Sequence, residues 1–283
     1  MKRIIVSLIF ILTTAAVFGE DLKLIKFADS LYNNGDYYRA ISEYKRYIFY
    51  NDTGEFAKNA SYKIGMSYMM AGKFDEAADA FDKVSLDNNG ELKFLSLLSE
   101  SVSVAMKKDY TYSSAVASKV LNDPEGSKYM DKARYVTGFN LINQGEYSKA
   151  MVEFGDIKDP ELAKSSASVN ALLNKSGEIP TRSPVISGLL SIIIPGSGHV
   201  YCGRWTDGIV SFVVNSFFIY NVYGAFKRND TIQKYSFGIP GGVIYLSSIY
   251  GGVVSANKFN DEEVVKFKKS AEEYKVEIIK TEF

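Results

Sequence analysis

At 283 residues the chain is long enough for two domains. Its 33 basic and 33 acidic residues balance, so it lacks the electrostatic footprint of a nucleic-acid binder and no nucleic-acid partner is expected. A single cysteine, Cys202, excludes an intrachain disulfide framework and cysteine-rich metal sites.

Met1-Lys2-Arg3 followed by the apolar run Ile4 to Val17 has the basic start and short apolar stretch of an export signal. The run is about 14 residues, whereas a spanning helix needs about 20. Val17-Phe18-Gly19 offers a cleavage position before Glu20, so residues 1–19 read as a signal peptide, with an uncleaved anchor as the alternative. Either way the segment directs the polar stretch after it to the far side of a membrane. No cysteine follows the run, which argues against lipoprotein processing.

A repeat comes next. Gly35, Gly72 and Gly145 each open a Gly-x-aromatic string that leads to Ala40 and Tyr44, Ala77 and Phe81, or Ala150 and Phe154. Gly35 and Gly72 stand 37 residues apart, and the 73 residues from Gly72 to Gly145 leave room for a weaker unit at Lys108-Asp109-Tyr110, with Ser113 and Ala117. Seven residues before each anchor stands a small residue: Ala28, Gly65, Ser101 or Gly138. The small residue on a first helix admits a close partner, the glycine serves a turn, and the Ala-x-x-x-aromatic pair marks one face of a second helix. Each unit is thus a helical hairpin that buries its face only by stacking on a neighbour.

At these residues the chain resembles the tetratricopeptide repeat family, over about 24–157. Its period of 36 to 37 departs from the usual 34, implying slightly longer helices or loops, and the family's early Trp is missing. Asp159-Pro160 starts a further helix to about Asn174, expected to cap the array. The resemblance implies a fold that binds peptides or proteins along the face built from first helices. Offsets from the turn anchors place Tyr62, Met66 and Met70 there, with Val102, Met106, Tyr135 and Phe139. Each is a partner-binding candidate or, alternatively, packed core; the clustered methionines suit an adaptable surface. An open apolar strip there calls for a client or for the chain's own C-terminal helix.

Residues 176–184, with Pro180 and Pro184, read as a linker, and apolar segments follow at about 185–201, 208–226 and 236–256. The third holds Gly238, Pro240, Gly241, Gly242, Gly251 and Gly252, a density of small residues that allows close packing in lipid. Tyr201, Trp205, Tyr223, Tyr235 and Tyr250 cluster at segment ends, as interface belts do. Between the first two segments lies Pro195-Gly196-Ser197-Gly198-His199-Val200-Tyr201-Cys202-Gly203-Arg204. This string resembles the short motif of small bacterial membrane-hairpin domains, in which Gln or His stands at the position of His199. Its structural reading is a tight helix-to-helix turn; its functional reading is a broken helix that exposes backbone to a ligand. Three spanning segments would leave Lys227, Arg228 and Lys234 outside, against the positive-inside tendency, whereas a re-entrant first segment turns them to the cytoplasm.

From Asn260, Val264, Phe267, Ala271, Tyr274 and Ile278 recur at helical spacing, predicting a separate amphipathic helix over 258–283. One histidine, one cysteine and no phosphate loop leave little for catalysis, and no third group orients His199 and Cys202 as a nucleophile pair. The expected fold is all-α: a signal (1–19), a repeat domain (20–175), a linker, a two- or three-segment transmembrane domain (185–257) and the tail helix. The expected function is a non-enzymatic, membrane-anchored scaffold of the bacterial envelope without cofactor. Its repeats are exported from the inner membrane to the periplasm and bind a protein or peptide, and its anchor contacts lipid. A transport or protein-insertion component whose repeats recruit clients is the alternative.

Overall fold

The computed structural model describes residues 23–51, 55–276 and 278, so the signal expected at 1–19 lies outside the described residues. Two compact units emerge: one joins the chain up to Leu173 with the segment from Tyr274 onward, and the other is Asn174–Glu273. No strand occurs among the described residues.

In the first unit, helices pair in chain order: α1 (23–33) with α2 (Tyr37–Tyr50), α3 (Glu55–Met70) with α4 (Phe74–Asp87), α5 (Glu91–Met106) with α6 (Tyr110–Leu121), and α7 (Met130–Gln144) with α8 (Tyr147–Gly155). A 3-10 turn, Pro124–Tyr129, leads into α7, and α9 (Pro160–Leu173) follows α8. Asp159 caps α9, its carboxylate accepting from the Leu162 N–H at 3.0 Å.

The packing follows from the repeat. A Cβ built on Gly65 would stand 2.6 Å from the Phe81 ring, and one on Gly138 equally close to the Phe154 ring, so the glycines admit the aromatics. Ala77, Phe81, Ala150 and Phe154 are buried in consequence. In the third hairpin hydroxyls replace ring on glycine: Ser101 donates to the Ser113 carbonyl at 2.8 Å and Ser113 to the Ser101 carbonyl at 2.7 Å. In the first, the buried Tyr44 donates to Asp29 at 2.6 Å, and Lys63 of the second meets the same carboxylate at 2.6 Å, linking neighbours.

The inter-helix turns need a left-handed residue. Gly35, Gly72 and Gly145 supply it at φ 78°, 71° and 83°, and Lys108 adopts it at φ 67°, where a Cβ is strained. The third unit therefore keeps the backbone of the repeat without its glycine. It also buries polar groups: Ser96, Ser99, Glu100, Ser101 and Ser103 all lie inside on α5. Glu100 is 1 % exposed; its Oε1 accepts from the Tyr112 hydroxyl at 3.4 Å, while its Oε2 has no hydrogen-bond partner. Burial pushes its carboxyl up from the usual 4.5 to about 7; Asp82 adds to the shift, and Lys119 and the Tyr112 hydroxyl oppose it.

The second unit holds α10 (Pro184–Ile193), α11 (Ser197–Tyr201), α12 (Trp205–Lys227) and α13 (Thr231–Glu272). The first apolar segment breaks at Pro195 and Gly196, the latter at φ 93°, as that string leads one to expect, and α10 has 10 residues. One sequence expectation is corrected: the separate tail helix does not form, because α13 runs unbroken for 42 residues through Pro240 and ends at Glu272. The 3.6-residue period of the tail continues that of the apolar segment, so nothing stops the helix at 257. Tyr274 and Ile278 lie beyond its end.

Two tests follow from the third repeat. Lys108→Gly is expected to relieve the left-handed strain and stabilise the protein by roughly 0.5–1 kcal/mol, read as a higher urea midpoint. Glu100 binds its proton more tightly folded than unfolded. Its contribution to stability is therefore whole below pH 4.5 and is lost as pH rises to about 7. Glu100→Gln should leave stability near pH 4.5 almost unchanged and raise it at pH 8 by on the order of 1–3 kcal/mol, seen in paired urea titrations.

Candidate functional site

Tyr274, Lys275, Val276 and Ile278 belong to the repeat unit, and they lie on the face on which the first helices set their aromatics. Tyr135 on α7 and Ser165 on α9 lie with their oxygens 2.8 Å apart. The Val276 N–H donates to the Tyr135 hydroxyl at 2.8 Å, and the Ser165 hydroxyl donates to the Tyr274 carbonyl at 2.5 Å. Each hydroxyl has one proton to give. With Ser165 committed to the tail carbonyl, Tyr135 donates to Ser165, and a relay runs amide–Tyr135–Ser165–carbonyl. One pair of side-chain hydroxyls thus holds the backbone carbonyl of residue 274 and the backbone amide of residue 276. Lys275 Nζ stands 5.2 Å from the centroid of the Phe139 ring, within cation–π range. Ile278 packs on the cluster of Tyr62, Met66, Ala77, Phe81 and Val84.

The sequence-derived positions divide on this geometry. Tyr135 and Phe139 touch the tail segment; Tyr62, Met66 and Val102 belong to the cluster that meets Ile278. Tyr62, Met66, Tyr135 and Phe139 are also buried, the Tyr62 ring tilted against Phe81 and the Tyr135 and Phe139 rings edge-on to Phe154, so they are core and wall together. Met70 and Met106, at helix ends, are 47 % and 55 % exposed. The strip is thus not open: this chain's own segment lies on it. Burial raises the Tyr62 hydroxyl to about 12, so it stays protonated toward Ser99, 2.8 Å away. Sequence reasoning missed Ser165, since one serine on a capping helix carries no periodic signal.

The second unit has its own constellation. Gly198 and Gly252 bring α11 and α13 against α10: a Cβ on Gly198 would meet the Ser187 carbonyl and the Ser191 hydroxyl, and one on Gly252 the same two residues. The single proton of the Ser187 hydroxyl lies between two acceptors, the Gly252 carbonyl at 2.7 Å and the Gly198 carbonyl at 3.0 Å. The Gly198 N–H reaches Ser191 at 3.2 Å and the Gly196 N–H reaches Ser248 at 3.1 Å. His199 Nδ1 pairs with the Ser255 hydroxyl at 2.7 Å. The Tyr201 ring lies under the Arg182 guanidinium at 5.1 Å, Gly203 turns the chain at φ 79°, and Arg204 bonds Asp207 at 2.6 Å. The Pro195–Arg204 string is therefore a tight turn whose polar groups are satisfied locally. Cys202 is buried with its sulfur 3.7 Å from the Ser187 hydroxyl, apart from the His199 contact. Among the described residues no cluster of three or more His, Cys, Asp or Glu is spaced to hold a metal.

The burial pattern of this unit is inverted. Ser187, Ser191, Asn215, Ser248 and Ser255 are buried, while Leu189, Ile193, Phe212, Phe217, Val243 and Leu246 are exposed. Helices α12 and α13 are long and apolar enough to cross a membrane; α10, at about 15 Å, reaches only about half of a 30 Å hydrocarbon core. Because the turn depends on close backbones, Gly198→Ala is expected to destabilise this unit by about 1–3 kcal/mol. Cys202→Ser keeps a hydrogen-bonding group of similar size facing Ser187 and should change it by less than about 1 kcal/mol. Thermal denaturation of the two variants in detergent checks both.

Residues 59–86 match the tetratricopeptide repeat family, a stretch that takes in most of α3 and nearly all of α4, with Gly65, Gly72, Ala77 and Phe81. No curated protein matches the chain. The matched hairpin has the geometry of its three neighbours, and with them it makes the first unit a tetratricopeptide-like array.

Proposed function

We propose that this protein is a non-catalytic, membrane-anchored scaffold of the bacterial envelope whose repeats bind a protein or peptide partner. Tetratricopeptide repeats generally serve protein–protein interaction. The observation that carries the reading is the Tyr135–Ser165 pair, which already holds a peptide backbone. The inverted burial of the second unit supports the anchor, because buried hydroxyls and exposed branched apolar side chains suit lipid and not water.

The tail also bears on topology. Tyr274 and Val276 bond to α7 and α9, so they lie on the same side of the membrane as the array. An even number of crossings must separate Leu173 from Tyr274; α12 and α13 supply two, and α10 is too short to add a third. Lys227, Arg228 and Lys234, at the turn between the two spans, then face the opposite side. The positive-inside tendency makes that side the cytoplasm and the array's side the periplasm. This is the membrane-hairpin organisation that the Pro195–Arg204 string implies.

Sidedness is testable in a Cys202→Ser background with single cysteines at Glu178 or Thr231, both exposed. In intact bacterial spheroplasts an impermeant maleimide should label Glu178→Cys and should reach Thr231→Cys only after lysis. Equal labelling of the two before lysis would eliminate the hairpin.

A further inference from the structure

We infer that the Tyr135–Ser165 site is a peptide-backbone site whose resident ligand is the chain's own tail, through Tyr274, Lys275, Val276 and Ile278, and that a client segment of the same pattern enters by displacing it. The inference rests on the array being a binding scaffold and deepens it by naming the ligand class. What the site reads is laid out along five residues. The hydroxyl relay takes the carbonyl of the first and the amide of the third, contacts that any non-proline residue at the third position can make. The Phe139 ring takes a cation at the second position. The apolar cluster around Tyr62 and Met66 takes an aliphatic side chain at the fifth. The preferred ligand is therefore a peptide segment with a Lys or Arg second and an aliphatic residue fifth.

Two features make the tail a competitor rather than a fixed strand. First, its described contacts are separate points on the wall: the Tyr274 carbonyl meets the Ser165 and Tyr135 hydroxyls, the Val276 N–H meets Tyr135, the Lys275 cation lies over the Phe139 ring and Ile278 meets the apolar cluster. Second, Tyr274 is 45 % exposed although its carbonyl is bonded, so the tail lies on the wall without being enclosed. A tethered ligand of modest intrinsic affinity holds its site through high local concentration and yields to a free segment that binds more tightly.

The test uses the full chain in nanodiscs and a fluorescent peptide copying residues 272–283. Val276→Pro removes the N–H that reaches Tyr135, and Ile278→Asp removes the apolar contact; neither residue is part of the array's helices. The double variant should bind the peptide at least tenfold more tightly than the unsubstituted chain, since the tail no longer competes. Adding Tyr135→Phe, which keeps the ring packing, should reverse the gain about tenfold with the far-UV helical signal and melting temperature of the array unchanged. Replacing the lysine at position 275 of the peptide by alanine should weaken binding about threefold.

Equal affinity of the unsubstituted and tail-released chains would overturn the competition, as would a scrambled peptide that binds as well. Unchanged affinity with Tyr135→Phe would remove the relay as the reader of the backbone. A concentration-dependent dimer that disappears in the tail-released variant would overturn the assignment of the tail to its own chain's groove. Binding is read here without regard to sidedness. Failure with the Glu178 and Thr231 labelling intact thus removes the tail site and leaves the anchored scaffold standing.

Discussion

Close approach of helices at small residues is the constraint on which both units depend. In the array it sets a ring on a glycine: Gly65 beneath Phe81 and Gly138 beneath Phe154. In the second unit it sets backbone against backbone, with Gly198 and Gly252 against Ser187 and Ser191. The same steric device serves opposite burial patterns. Where water surrounds the fold, the gap is filled by an aromatic, and removing its area from water contributes most of the stability. Where apolar side chains face outward, hydroxyls fill the gap. There the alternative for a serine is an unpaired polar group, which costs more than the weak hydrogen bond it makes inside.

The tail segment depends on that arrangement in turn. Because Gly138 lets α8 lie close, Phe154 sits against both Tyr135 and Phe139 and fixes their rings. A hydroxyl can read a peptide edge only if its own direction is held, and here the direction is held by packing. Ser165 adds the second point from α9, so the helix that closes the array also completes the site.

The repeat was legible because hydrophobic period and turn chemistry agree in it. Gly-x-aromatic followed by Ala-x-x-x-aromatic states a turn and a helix face at once, and three of four hairpins carry both signals. The third was readable only by spacing, since Lys108 takes a conformation that its side chain does not advertise. The anchor's close packing was legible in its glycines and its turn in Pro195-Gly196. Two things were not. The end of α13 at Glu272 has no glycine or proline to mark it, and an amphipathic period persists past the point where the helix stops. The binding face was half-legible: offsets found Tyr135 and Phe139, but a groove wall and a core residue have the same apolar signature. Only the tail, a long-range contact between residues 139 and 141 positions apart in the chain, reveals that one side chain is both.

The third hairpin has a mechanical consequence. An array of stacked units couples each only to its neighbours, so it yields to heat or to a pulling force at its least favourable link. Here that link carries a strained turn at Lys108 and a buried carboxylate with an unsatisfied oxygen at Glu100. The tail runs from Tyr135 in the fourth hairpin to the Tyr62 cluster of the second. It crosses the weak link as a splint, so the array should be stiffer with that groove filled than with it empty.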